Sequence, residues 1–325
     1  MKNFTFIDLF AGIGGFRIAM EQFGGRCVFS SEINPHACQM YEANYNDTPH
    51  GDITKIKDSD IPDFDILCAG FPCQAFSIAG KKMGFEDTRG TLFFEICRIL
   101  KAKKPKVVFL ENVKNLTKHD NGKTLAVILK SLQDLGYFVS YKILNAKDFG
   151  VPQNRERIII VGSLEKEFNF SKLNYSNKSS IIEDILETDT HYLDECSYTL
   201  LDKTEQNKSS GLVFAGFINK TLRKGTDPLK THLSRVHRQP NRIYRYDGCH
   251  PTLSSQESAG RYYILLKNNR VRKLTINECY KLMGFPPNFK LIGAKNQLYQ
   301  RIGNSVCVSM MVAVTEQITK QFDLS

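Results

Sequence analysis

Short apolar runs alternate with amphipathic stretches through the first half of the chain. Phe4 to Phe10 is almost continuously apolar and predicts a strand covered on both faces. Gly14 to Phe23 then reads as a helix, Cys27 to Ser31 as a second strand and Pro35 to Asn44 as a second helix. Phe64 to Ala69 and Val107 to Leu110 predict two more buried strands, with helices from Leu92 to Lys101 and from Thr124 to Leu135. This alternation predicts an α/β fold with a doubly wound, mostly parallel sheet. Tyr137 to Leu144 and Arg157 to Val161 read as the last two strands, and the segment between them is short and holds Pro152. A parallel crossover takes a dozen or more residues, so these two are predicted to be antiparallel neighbours at one side of the sheet.

The pattern changes after Gly162. Ser163 to Asn269 is irregular and polar, with short strand candidates at Tyr198 to Leu201, Leu212 to Phe217 and Tyr262 to Leu266. This predicts a smaller irregular or β domain. Order returns with a helix from Thr275 to Met283, opened by a Thr275/Glu278 capping box and stopped by Gly284 and Pro286. A last helix is predicted from Ser305 to Phe322. The predicted division is a large first domain over 1–180, a smaller domain with a hinge over 181–289, and a segment 290–325 returning to the first domain.

Composition narrows the class. Of 325 residues, 42% are hydrophobic and 24% charged, which is ordinary for a soluble globular protein. No apolar run approaches the roughly 18 residues of a membrane span. Met1-Lys2-Asn3-Phe4-Thr5 lacks the layout of a signal peptide, so a cytoplasmic location is expected. Nine cysteines without a C-x-x-C pair disfavour a disulfide framework or a four-cysteine zinc site, and no metal is predicted. A net charge of +10 suits a polyanionic partner, and equally a basic protein that binds none.

Two strand ends carry chemistry. Phe71-Pro72-Cys73-Gln74 follows one strand, and Glu111-Asn112-Val113 ends another. In an open parallel sheet, ligands bind beyond the carboxyl ends of the strands, so this thiol and carboxylate can meet over one substrate. The combination points to a covalent nucleophile with an acid/base partner. Cys73 opens a loop to Thr91 that holds Gly80, Gly84, Gly90, Lys81, Lys82 and Arg89. Such a loop reads as an active-site lid, or else as a surface loop over a buried cysteine. Glu111 also reads as a salt-bridge or cap residue. Arg155 and Arg157 are predicted to share one side of the strand they enter, facing the Glu111 pocket or standing as edge charges.

The turn Asp8 to Phe16 is glycine-rich, but the third glycine of a dinucleotide fingerprint is replaced by Arg17. Glu32, twenty residues after Gly12, suits ribose hydroxyls, and Asp52 lies in Gly51-Asp52-Ile53. A nucleoside such as S-adenosylmethionine fits this pattern best; a tight structural turn and a nicotinamide cofactor are the alternatives. Lys220 to Arg245 holds eight Lys/Arg against one acid, Asp227, with Tyr244 and Tyr246 interleaved. It reads as a segment that contacts phosphates and guanine edges, or as a solvated basic loop.

Taken in order, Asp8 to Phe16, Gly70 to Ser77, Glu111 to Val113, Gln153 to Arg157, Arg272 to Pro286 and Gln297 to Val306 resemble the motifs of the cytosine-5 DNA methyltransferase family, in particular its short bacterial modification methylases. The resemblance implies that Cys73 adds to cytosine C6, that Glu111 holds N3 and the exocyclic amine, that Arg157 binds the O2 side and that Arg155 supports the pocket. The target base would leave the duplex stack. S-adenosylmethionine would be held by Phe10, Ala11, Gly12, Gly14, Gly15, Glu32, Ile33, Asp52, Ile53, Pro72, Leu92, Asn304 and Ser305. The family often has tryptophan where this chain has Ile33, which implies a somewhat altered cofactor affinity. Expected DNA contacts are Gln74, Ser77, Lys81 and Arg89 in the loop, and Arg235, Arg242, Arg245, Thr252, Leu253, Ser254 and Arg261 in the middle region. Partners implied are double-stranded DNA and a cognate restriction endonuclease, with the enzyme acting as a monomer. A transfer-RNA methyltransferase of the same fold is the alternative. A non-catalytic DNA-binding relative is disfavoured by the presence of Cys73 and Glu111.

Overall fold

A computed structural model of the chain describes residues 3–72, 92–177, 179–219 and 239–324. The chain divides into two compact units. The first comprises Met1–Asn145, Glu156–Tyr175 and Ser305–Ser325; the second comprises Ala146–Arg155 and Ser176–Asn304.

The first unit begins β1 (Phe4–Leu9), α1 (Gly15–Glu21), β2 (Gly25–Ser31) and α2 (Pro35–Tyr45). It continues with β3 (Ile66–Gly70), α3 (Leu92–Lys103), β4 (Val107–Val113), α4 (Lys123–Asp134) and β5 (Phe138–Asn145). The two-residue β6 (Gln153–Asn154) belongs to the second unit, and β7 (Glu156–Ser163) returns to the first. Strand order is β2-β1-β3-β4-β7-β5. The first four strands are parallel, and β7 runs antiparallel to both β4 and β5. The predicted antiparallel pair is therefore present, with β7 inserted between β4 and β5. The chain moves from β1 outward to β2, then back across to β3, so the switch in strand order lies between β1 and β3.

Strand burial explains the apolar runs. Ile7, Leu9, Leu67, Ala69, Val108 and Leu110 pack with Phe93 and Ile96 of α3 and Ile128 and Leu132 of α4 in one core. Alternate residues serve the other face, where Phe16 of α1 meets Phe109 of β4 edge-on at 4.9 Å.

The second unit holds β8 (Tyr198–Asn207), β9 (Leu212–Ile218), β10 (Arg242–Arg245), β11 (His250–Pro251), β12 (Tyr263–Leu265) and β13 (Val271–Lys273). Five of these form a sheet in the order β13-β12-β10-β9-β8, and β11 pairs with β6. Its small core is Tyr198, Ala215, Ile243, Tyr263, Leu265 and Val271. The sequence pattern predicts β8, β9 and β12, but misses β10 and β13, where arginines and a lysine interrupt the apolar positions. Helices α5 (Ile276–Lys281) and α6 (Lys295–Asn304) complete the unit, and α7 (Val308–Gln321) packs on α1 in the first unit. The capping box that opens α5 is present in both directions. No described helix is long and apolar enough to cross a membrane.

His250 on β11 is buried between Tyr244 and Tyr262, with Nδ1 2.7 Å from the Pro251 carbonyl. Burial pulls its pKa down to about 4. The unfolded chain takes up a proton near pH 6.5 and the folded chain does so only near 4, so this group's contribution to stability is complete above about pH 6.5 and is lost as pH falls toward 4. Between pH 7 and pH 5 the wild type is expected to lose about 2 kcal/mol that His250→Gln does not lose. Urea unfolding of both proteins at the two pH values tests this; equal losses would assign the pH dependence to other groups.

Candidate active site

The turn after β1 starts with Phe10 at φ 55°. A bulky residue adopts this left-handed backbone only where its surroundings impose it, and such strain gathers at binding sites. Gly12 and Gly14 follow at φ 56° and 84°. The three glycines of this turn do different things. A Cβ on Gly14 would lie 2.4 Å from the Tyr45 ring, and one on Gly15 would lie 2.6 Å from Val306 Cγ2. Both are therefore required by packing, Gly15 by the returning C-terminal segment. Only Gly12 faces open space, its nearest neighbour being the Phe10 carbonyl at 4.0 Å.

Arg17, at the position of the missing third glycine, points away from this opening. Its Nη1 donates to Tyr41 Oη at 3.2 Å and Asp47 Oδ2 at 2.5 Å, and its Nε to Glu21 at 2.7 Å. Arg17 thus ties α1 to α2. Asp8, beneath the turn, is enclosed beside its register partners Ser30 and Cys68. Burial pushes its carboxyl well above the usual carboxylate range, against the pull of Arg17.

Beside the turn lies a hollow of about 300 Å³ of empty space, on the carboxyl side of β1 and β2. Glu32 and Asp52 supply its charge, and Phe10, Ile33, Ile53 and Leu92 its apolar walls. Gly12 N–H donates to Glu32 Oε2 at 2.8 Å and Asn34 N–H to Oε1 at 2.7 Å, which fixes the carboxylate just past β2. Two hydrogen bonds from Thr54, one from its hydroxyl and one from its backbone, hold the Asp52 carboxyl below its usual range. None of the described residues lining the hollow is Lys or Arg. The donor set fits an adenosyl sulfonium: a fixed carboxylate for a ribose diol, apolar walls for a purine, and acids that favour a cation over a pyrophosphate. Ser31 and Gly51 also line it. Sequence reasoning passed over both, although each adjoins a predicted acid. Of the other predicted cofactor residues, Ala11 is buried in the turn, Pro72 is exposed beyond β3, Ser305 is buried in the first unit, and Asn304 ends α6 in the second.

One strand beyond the switch in strand order, Gly70 at the end of β3 pairs in register with Glu111 on β4. Arg157 on β7 points back at Glu111, with Nε 3.0 Å from Oε1 and both side chains about nine-tenths enclosed. Asn112 next to it is buried, and its Nδ2 donates to the Phe71 carbonyl at 2.9 Å. Asn112 therefore holds the backbone two residues ahead of Cys73, a part the motif did not reveal. Cys73 lies outside the described residues, as do Gln74, Ser77, Lys81 and Arg89 of its loop, and Arg235. Burial pushes the thiols of Cys68 and Cys279 well above their ordinary value, and that of Cys97 up to about 12. Those three thiols are inert core groups at neutral pH.

Arg155 is not on the strand that carries Arg157. It precedes β7, is enclosed in the second unit, and donates from Nη1 to the Leu253 carbonyl at 3.1 Å and from Nη2 to the Gly303 carbonyl at 3.2 Å. Period-two reasoning fails because the strand starts only at Glu156. Thr252 Oγ1 donates to the Asn154 carbonyl at 2.8 Å, and Leu253 N–H to Gln153 Oε1 at 3.0 Å. Leu253 is fully buried, which places it in the core rather than on a DNA-facing surface. Ser254, Arg242 and Arg261 line a second hollow in this unit. Arg245 is held by Asp247 and Thr204.

A sheet wound in this order, with a hollow lined by Glu32 and Asp52 at its carboxyl edge, is the Rossmann-like methyltransferase fold. The S. pombe Dnmt2 methyltransferase shares the fold at a TM-score of 0.69 and 20% identity, over 98% of this chain and 99% of that one. The chain belongs to the C-5 cytosine-specific DNA methylase family, whose model matches residues 4–320. It is 41% identical over 328 residues to the type II methyltransferase M.HhaI of Haemophilus parahaemolyticus, covering 98% of this chain and 95% of that protein. It is 44% identical to the type II methyltransferase M.HaeII of Haemophilus aegyptius, covering 100% of this chain and 96% of that protein. The resemblance carried by the ordered motifs therefore holds across the chain, and S-adenosylmethionine is the methyl donor of such enzymes.

Proposed function

We propose that the chain is a sequence-specific DNA (cytosine-5)-methyltransferase acting as the modification half of a restriction-modification system. On this reading it works as a monomer in the cytoplasm, beside a cognate endonuclease. The observation that carries the reading is the enclosed Glu111–Arg157 pair at the end of β4, in register with the strand exit that leads to Cys73. The relatives at 41% and 44% identity are type II methyltransferases, whereas the likeness to Dnmt2 at 20% identity is one of fold. This favours DNA over transfer RNA as substrate.

Cytosine C5 is a poor nucleophile. The Cys73 thiolate adds to C6, and the ring electrons move toward N3 and C5. Glu111 passes a proton to N3 as Cys73 adds and accepts from the exocyclic amine, so the adduct carries no net ring charge; the proton returns to Glu111 when Cys73 leaves. Arg157, already oriented by Glu111, donates to O2. Bound S-adenosylmethionine supplies an electrophilic methyl group to C5. A base then takes the C5 proton, the C5–C6 double bond re-forms, and Cys73 leaves as thiolate. We assign the adenosyl moiety to the hollow of Glu32, Asp52, Phe10 and Leu92, and the first unit to catalysis. The second unit is assigned to target recognition, together with the Cys73 loop through Gln74, Ser77, Lys81 and Arg89. Arg155 acts as a positioning residue, since its guanidinium holds the backbone at Leu253 and Gly303.

The test is methyl transfer from labelled S-adenosylmethionine to unmethylated plasmid DNA and, in parallel, to transfer RNA, with bisulfite sequencing of the products. Label at one short recurring DNA motif is expected. Label on RNA alone would replace this reading.

A further inference from the structure

Resting on the DNA-methylating reading above, we propose that the second unit reads a guanine of its recognition sequence through Arg261, a specificity-determining arginine aimed by the buried acid Glu257. The residues converge on a hollow of about 460 Å³ of empty space. Tyr244, His250 and Tyr262 pack edge to face along it, with ring centroids 6.0 and 5.4 Å apart. Arg261 stands at its rim.

One carboxylate fixes the whole of Arg261. Glu257 Oε2 accepts from Arg261 Nε at 2.9 Å and lies 2.8 Å from Nη2. Its Oε1 accepts from the backbone N–H of Ala259 at 3.0 Å and of Arg261 at 3.3 Å. The Glu257 side chain is 2% exposed and that of Arg261 48%. Arg272 and Glu278 form a contrasting pair, with side chains 1% and 0% exposed that close on each other. In the Glu257–Arg261 pair the acid is enclosed and the cation is left half in solvent. The carboxylate takes the Nε side of the guanidinium, and Nη1 has no partner among the described residues. The Nη1/Nη2 end therefore presents two parallel N–H donors, already oriented. That fork matches the O6 and N7 acceptors of guanine in the major groove. Little side-chain entropy is left to lose on binding.

The neighbouring arginines are differently committed. Arg245 gives Nε and Nη2 to Asp247, and Nη1 to Thr204 Oγ1 at 3.3 Å. Arg242 lies over the Phe214 ring at 5.4 Å. A phosphate would also accept from Arg261, but phosphate contacts carry no sequence information, so the two roles separate by experiment.

The experiment is bisulfite sequencing of a randomised DNA library methylated by full-length wild type, Arg261→Ala, Arg261→Lys and Glu257→Gln. Wild type is expected to require guanine at one position besides the partner of the target cytosine. In Arg261→Ala that preference should fall on the order of 10- to 100-fold, with the other positions still read. Lysine, which lacks the fork, should not restore it, and Glu257→Gln should weaken the same position alone. Arg261→Ala leaves the enclosed Glu257 without its cation whereas Arg261→Lys keeps one, and retained selectivity elsewhere in the motif shows that each variant keeps the fold. An unchanged motif in Arg261→Ala overturns the proposal. So does a uniform loss at all sites with a shallower salt dependence, which marks a phosphate contact. A wild-type motif whose only guanine pairs with the target cytosine also overturns it. Failure of wild type to methylate any DNA would instead sink the underlying reading.

Discussion

Cys73→Ala is expected to abolish methyl transfer while leaving sequence-specific DNA binding in place. The reaction needs a nucleophile that adds to C6 and later departs, and alanine has no group to do either. The enclosed thiols of Cys68, Cys97 and Cys279 cannot substitute, because burial keeps them protonated. The loss in turnover should be on the order of 10⁴-fold or more, the scale seen when a residue that bonds to substrate is removed. Incorporation of labelled methyl groups gives turnover, and a gel-shift titration on the cognate site gives binding. Near-normal turnover would remove the covalent mechanism. Loss of both binding and turnover would show that the substitution disturbs the loop itself.

Arg272→Ala is expected to be the most destabilising of the single substitutions considered, at about 3–5 kcal/mol. Arg272 and Glu278 are both enclosed and doubly bonded, Nη2 to Oε1 at 2.6 Å and Nη1 to Oε2 at 2.8 Å. The same carboxylate accepts from the backbone N–H of Thr275 and of Glu187, each at 2.7 Å. The guanidinium donates in turn to the carbonyls of Lys273 and Glu187. One ion pair thus joins β13, the start of α5 and the segment at Glu187. Removing the arginine leaves Glu278 charged without a cation in an enclosed site, which costs far more than the pair itself contributes. Pairing Arg272→Met with Glu278→Gln should recover part of the loss, since no lone charge is then buried. Urea unfolding of the two variants and wild type measures both effects. A loss below about 1 kcal/mol for Arg272→Ala would show that water reaches Glu278 and screens it.

The sheet was legible because parallel strands covered on both faces must be apolar along their whole length. Ile66 to Ala69 and Val107 to Leu110 have no other way to be buried, and the short link at Pro152 left β5 and β7 only an antiparallel pairing. The glycine turn, Glu32 and Asp52 were legible for a related reason. A nucleoside-binding turn needs particular residue types at particular steps after a strand, and those steps are local. α6 was missed although Leu298, Tyr299 and Ile302 recur at helical spacing, because its polar composition hides the stripe.

What sequence alone determined is therefore whatever depends on near neighbours: the alternation of strands and helices, the caps, the glycine turn after the first strand, and the order of motifs that marks the family. Tertiary structure decided the jobs of individual polar side chains. Arg155 and Arg157 are chemically identical and two residues apart. One is committed to carbonyls 98 and 148 positions away, and the other to Glu111. Gly14 and Gly15 serve packing against Tyr45 and Val306, and only Gly12 keeps room for a ligand. Arg245 and Arg261 look alike as arginines of the middle region, yet Asp247 and Thr204 engage all three nitrogens of one, while Glu257 leaves an end of the other open. The physical reason is common to all of these. A polar group's role is set by which donors and acceptors reach it within about 3 Å, and most of those partners arrive from distant parts of the chain.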